Sequence, residues 1–168
     1  LTGTRQSGPG ATGNSTRGLF AGGQIFPALS DVIDFVTFST TGDAVDFGNL
    51  TVARRNLIGN GNQTRGLFAG GQTPTKQDVI DFITISSTGD AVDFGNLTSA
   101  KNQLGGNASS PTRGLFYGGN APSLTDAIDF ITNSTLGNAQ DFGDLIAGIN
   151  ENKGASSSTR ALMLGGYV

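Results

Sequence analysis

The chain states one phrase three times: Arg17-Gly18-Leu19-Phe20-Ala21-Gly22-Gly23 returns at Arg65–Gly71 and, with Tyr117 in place of alanine, at Arg113–Gly119. A degenerate copy runs from Arg160 to Gly166. The leading arginines lie 48, 48 and 47 residues apart, a period found in propeller blades, solenoid turns and arrays. A unit of that size cannot bury both of its faces alone, so neighbouring units must cover each other.

The 168 residues include 27 glycines, which argues for many short elements joined by tight turns rather than a large helical core. Cysteine and histidine are both absent. Disulfide stapling, thiolate metal sites, zinc chemistry, Ser-His-Asp hydrolysis and cysteine nucleophiles are thereby excluded as intact constellations. A net charge of −3 disfavours a nucleic-acid surface, which needs clustered cations. There is no apolar run of membrane-spanning length. The repeats divide a single domain, residues 1–168, at approximately 1–49, 50–96, 97–144 and 145–168, the last partial. Leu1-Thr2 is equivalent to Leu50-Thr51 and Leu97-Thr98, so the repeat phase leads to the expectation of a segment within a longer array.

The unit from Leu50 to Asn96 reads as four strands. Strand A covers Asn56–Gly61 and ends in a Gly-Asn-Gly turn whose residues tolerate positive φ. Strand B, Thr64–Ala69, stops at Gly70-Gly71. Strand C, Val79–Ser86, is rich in β-branched residues, and a Thr-Gly turn leads to strand D, Ala91–Leu97. Strand C recurs at Val32–Ser39 and Ala127–Asn133, strand D at Ala44–Leu50 and Ala139–Leu145. The glycine pairs suit a place where backbones crowd together.

An Arg-led strand ending in Gly-Gly, a loop, the Val32-Ile33-Asp34-Phe35 strand, a Thr-Gly turn and an outer strand leading to Leu50-Thr51-Val52-Ala53-Arg54 together resemble the kelch repeat. Phe47, Phe94 and Phe142 stand where that repeat usually has tryptophan. The wording is also similar to degenerate kelch-like arrays in virion structural and tail proteins of phages, particularly those infecting marine cyanobacteria. The resemblance implies an all-β fold of kelch-like β-propeller blades, each a four-stranded antiparallel sheet, with three blades and a half blade present. An open β-solenoid or a stacked-sheet rod is the alternative. Kelch propellers that are copper oxidases use Cys, Tyr and His around the metal, which this chain cannot supply.

Two sets of candidate residues follow. Arg17, Arg65, Arg113 and Arg160 recur in register with Asp34, Asp81 and Asp129, and also with Asp46, Asp93 and Asp141, so structural ion pairs within or between units are expected. The B to C loops vary most between repeats, and Phe26, Pro27, Thr75, Lys76, Gln77, Pro122 and Ser123 are the candidate ligand contacts there. Nine phenylalanines recur on strands B, C and D and read as the apolar cement between sheets. Asp43 and Asp90 read as turn residues that bond local backbone in preference to calcium ligands. Asn-x-Ser/Thr sequons occur at Asn14, Asn49, Asn62, Asn96, Asn107 and Asn133.

The expectation is a non-enzymatic structural or adhesive protein with no cofactor and no metal: a phage virion appendage such as a tail fibre or spike, on the virion or otherwise extracellular. Its exposed loops are candidates for contact with cell-surface carbohydrate. A kelch-type adaptor for a protein partner and an extracellular filament subunit are the alternatives. Unsealed sheet ends make the expected partner either the chain itself, as a homo-oligomer, or the rest of a longer chain.

Overall fold

The computed structural model describes residues 1–168 and contains strands but no helix. The first sheet has the order β1-β2-β5-β6, from β1 (Gly10–Gly13), β2 (Arg17–Ala21), β5 (Val32–Thr37) and β6 (Val45–Asn49). The second is the meander of β7 (Ile58–Gly61), β8 (Arg65–Ala69), β9 (Val79–Thr84) and β10 (Val92–Asn96). The third runs through β11 (Gly105–Ser109), β12 (Arg113–Tyr117), β13 (Ala127–Thr132) and β14 (Gln140–Asp144). A fourth unit consists of β15 (Lys153–Ser156) and β16 (Ala161–Leu164) alone. All pairings within these sheets are antiparallel. Strands A to D of each repeat are therefore consecutive neighbours in one small sheet. The first B to C loop adds a hairpin absent from the sequence reading, β3 (Gln24–Ile25) with β4 (Ala28–Leu29), turning at a cis Phe26-Pro27 bond.

Alternating side chains send each strand's apolar residues to both faces, and in the second and third sheets both faces are covered by a neighbouring unit. Leu19, Ala21, Ile33 and Phe47 of the first sheet meet Leu57, Phe68, Ile83, Ile85 and Ala91 of the second in one buried cluster. The same positions one repeat later, Leu67, Ala69, Ile80 and Phe94, meet Leu104, Phe116, Ile131 and Ala139 of the third sheet. A smaller cluster joins Tyr117 and Ile128 of the third sheet to Ala161 and Met163 of the fourth unit. Each fully buried large side chain contributes about 1.5–3 kcal/mol, so these contacts between sheets are the main source of cohesion. The phenylalanines behave as expected within the array: Phe68 and Phe116 are inaccessible, Phe47 and Phe94 nearly so. At the ends the pattern stops, and Phe142, equivalent to Phe47, is 51% exposed.

Strand D of each complete unit bulges against strand C, at Ile33/Asp34 in the first sheet and at Asp93/Gly95 in the second. The bulge turns the phenylalanine of strand D edge-on to that of strand C, with ring centroids 5.9 Å apart for Phe35 and Phe47 and 6.0 Å for Phe82 and Phe94. The glycine after it, Gly48 or Gly95, has φ of 146° or 142° and lies directly beneath the C to D turn of the following sheet, where any Cβ would strike the carbonyl of Gly89 or Gly137. That turn is tied down by backbone bonds: Gly89 N–H donates to Phe47 O at 2.7 Å and Ala91 N–H to Asn49 O at 2.8 Å. Asp90 accepts from Asn49 N–H at 2.9 Å and from its side-chain amide at 3.2 Å. The expectation of purely local bonding for this aspartate is corrected accordingly: its carboxylate locks one sheet to the preceding one.

Candidate functional site

The recurring linker between units builds a clip that is present in every complete sheet. After strand D the chain crosses beneath the next sheet, and Thr51 N–H and Oγ–H donate to the two carboxylate oxygens of Asp81 at 3.1 and 2.6 Å. Three residues further on, Arg54 Nη2 lies 3.2 Å from Asp81 Oδ2, with both side chains fully buried. Thr2 and Arg5 hold Asp34 the same way, with the Arg5 guanidinium 2.6 Å from the carboxylate. Thr98 and Lys101 hold Asp129, the ammonium lying 3.0 Å away. Burial pulls the Arg54 guanidinium below its ordinary pKa, partly opposed by the charge and hydrogen bond of Asp81. Arg54 Nη2 also reaches Phe68 O at 3.0 Å, which anchors the clip to strand B.

This overturns the pairing expected for the repeated arginines. Asp34, Asp81 and Asp129 are in ion pairs, but with Arg5, Arg54 and Lys101, because the linker enters under its own sheet where strand C points its aspartate. Arg17 and Arg65 instead leave the edge of strand B and cross to the following sheet, donating to Ile85 O at 2.6 Å and Asn133 O at 2.7 Å. Their guanidinium groups lie over Phe35 and Phe82 at 4.7 and 4.9 Å from the ring centroids. Arg113 stacks on Phe130 at 4.9 Å, and Arg160 is exposed. Asp93 and Asp141 accept from Gly95 N–H and Gly143 N–H within their own bulges, each at 3.0 Å. The signal for the clip was present in the sequence: a Thr and a cation spaced by three in each linker, with an aspartate about thirty residues on.

The variable loops stand side by side. Arg55 donates to Gln24 Oε1 at 2.8 Å, Asn102 to Gln72 Oε1 at 2.7 Å, and Lys76 Nζ to Asn120 Oδ1 at 2.6 Å, so each loop is bound to an element of the neighbouring unit. Lys76 is thus engaged in holding two loops together, and the Gln77 amide folds back onto Thr73 and Thr75. Phe26, 78% exposed, Pro27, Thr75, Pro122 and Ser123 face solvent. They form a ridge, and a concave surface lies elsewhere. A groove of about 620 Å³ runs along the A to B turns, lined by Gly13, Asn62, Gln63, Ser110, Pro111 and Ser157 among others, mostly glycines and polar side chains. Each turn there is closed by its first residue: Asn62 Oδ1 accepts from Thr64 N–H, Thr64 Oγ–H and Arg65 N–H, while its amide donates to Pro111 O of the next unit. No three carboxylates gather where a cation could be held.

No protein-family profile matches this chain. No curated protein matches it either.

Proposed function

We propose that this chain is a non-enzymatic structural and adhesive repeat protein of the virion-appendage kind, built from kelch-like blades, whose loop ridge touches a cell-surface glycan. The observation that carries the reading is the pairing of a rigid, repeated scaffold with divergent loops. The buried clusters and the clips recur in register, whereas the B to C loops diverge in sequence after their shared Gly-Gly, and the first of them is longer than the other two and projects an exposed aromatic at Phe26. An exposed phenylalanine on a loop surface that elsewhere carries hydroxyl and amide side chains suits a sugar, which offers an apolar face and a rim of hydroxyls. The order A to D across each sheet and the close approach of successive A strands support the blade reading. In that approach Thr12 Oγ–H donates to Asn60 O at 2.6 Å and Ser156 Oγ–H to Ser109 O at 2.7 Å.

Glycan arrays probed with the labelled chain test this function. Carbohydrate signal that falls at least tenfold in Phe26→Ala, with unchanged far-ultraviolet dichroism, is the expected result. A single protein partner in pull-downs with no glycan signal favours the adaptor reading instead. Electron micrographs of the assembled object separate a closed propeller from a stacked rod.

A further inference from the structure

The turn between strands C and D reads Thr41-Gly42-Asp43-Ala44-Val45 in the first unit and Thr88-Gly89-Asp90-Ala91-Val92 in the second. In the third unit it reads Leu136-Gly137-Asn138-Ala139-Gln140. All three exchanged residues, Leu136, Asn138 and Gln140, line one cavity of about 280 Å³ where the second and third sheets meet. Both of these sheets are complete, and they pack on each other here through Phe94, Ile131 and Ala139. Phe94 and Ile131 belong to the cavity lining as well, and Thr132 and Thr135 add hydroxyl groups to it.

The exchanges preserve what the turn does structurally and change its chemistry. Asp90 Oδ1 accepts from Asn49 N–H of the preceding sheet at 2.9 Å, and Asn138 Oδ1 accepts from Asn96 N–H at 3.1 Å in the same way. The second carboxylate oxygen of Asp90 has become an NH2 group in Asn138, so a donor is gained and a negative charge is gone. Gln140, exposed, brings an amide to the position that Val45 and Val92 hold in the other units. Leu136, 58% exposed, sets an aliphatic side chain at the solvent edge in place of threonine.

The lining chooses the class of ligand. None of the nine lining residues is ionisable, so a charged ligand would enter without a counter-charge. A wholly apolar one would leave the amides and hydroxyls of the rim unpaired. A neutral sugar ring meets both conditions, with an apolar C–H face and a circle of hydroxyls that donate and accept. We infer that the C to D turn of the third unit, with Leu136, Asn138 and Gln140, is a binding site for a single neutral sugar residue. It lies at the opposite end of strand C from the B to C loops, and it stands whether or not the loop ridge meets a glycan.

Titration of the ¹⁵N-labelled chain with the methyl glycosides of glucose, galactose, mannose and N-acetylglucosamine tests the site, with glucuronic acid as a charged control. At least one neutral glycoside is expected to shift the backbone amide signals of Gly137 and Asn138 and the side-chain amide signals of Asn138 and Gln140. Glucuronic acid is expected to bind at least about tenfold more weakly. The variant Leu136→Thr/Asn138→Asp/Gln140→Val gives this turn the wording of the second unit, which packs in the same setting, and is expected to lose at least about tenfold in affinity. Phe26→Ala is expected to leave these shifts unchanged, which separates the site from the ridge. No shift at the turn with any neutral glycoside, equal affinity in the triple variant, or glucuronic acid binding as tightly would each overturn the inference. Shifts confined to the Phe26 hairpin would overturn it while sparing the ridge. Should the triple variant fail to fold, Gln140→Val alone decides, because that exposed position is valine in both other complete units.

Discussion

Arg54 and Asp81 face each other at 3.2 Å with neither side chain open to solvent, and Thr51 occupies the remaining acceptor sites of the carboxylate. The linker that carries Thr51 and Arg54 also presents the Arg54 carbonyl to Gly23 N–H of the preceding sheet at 2.9 Å. One short segment thus holds its own sheet through a buried ion pair and the previous sheet through a backbone bond. Gly22 is required at the crossing, since its φ is 67° and any Cβ would strike that carbonyl.

Removing one partner of the clip leaves the other charge buried without a counterion. Asp81→Ala is expected to destabilise the chain by about 3–5 kcal/mol in urea denaturation, whereas Arg54→Met combined with Asp81→Leu is expected to recover most of that loss. A double variant as unstable as the single one would show that the pair is irreplaceable by apolar packing.

The arginines on strand B separate an interior position from an end position. Arg65 stacks on Phe82 and donates across to Asn133 O, so Arg65→Ala is expected to cost about 1–3 kcal/mol. Arg113 has the stacking without the crossing bond, and Arg113→Ala is expected to cost about 1 kcal/mol or less. Thermal unfolding of the two variants side by side gives the comparison.

Asn152 stands where Leu57 and Leu104 stand in earlier units, and it is 1% exposed with neither amide atom paired. Asn152→Leu is expected to raise stability by about 1–3 kcal/mol, because the desolvation penalty of an unpaired amide disappears. A fall in the melting temperature would refute this.

Tyr117 is buried, and burial pushes its phenol from 10.0 up to about 12. Its hydroxyl donates to Gly106 O at 3.0 Å. The folded chain keeps the proton over a range in which the unfolded chain releases it, so stability falls as pH rises from about 10 to about 12 and is unaffected below. The expected loss is roughly 2–3 kcal/mol across that range. Stability measured against pH in Tyr117→Phe should lack this part of the alkaline slope.

Much of the fold was legible in order along the chain. Strand B, expected at Thr64–Ala69, is Arg65–Ala69, and strand C, expected at Val79–Ser86, is Val79–Thr84. Strand B is short and ends at a glycine pair, strand C is rich in β-branched residues, and the antiparallel meander depends only on neighbours in sequence. The small hairpin at Gln24–Leu29 escaped notice because two-residue strands carry no periodicity.

The period, the four-strand unit and the glycines that let backbones approach are all written locally, since each follows from residue chemistry repeated at a fixed interval along the chain. Which cation meets which aspartate was decided only in three dimensions. Arg17, Arg54 and Asp34 recur with the same period, so spacing alone cannot distinguish Arg17 from Arg5 as the partner of Asp34; the path of the linker beneath its own sheet does. Tertiary structure likewise decided that Lys76 binds a neighbouring loop and that Asp90 ties its turn to the preceding sheet. A side chain's environment there is made by residues one whole unit away, and no local pattern records it.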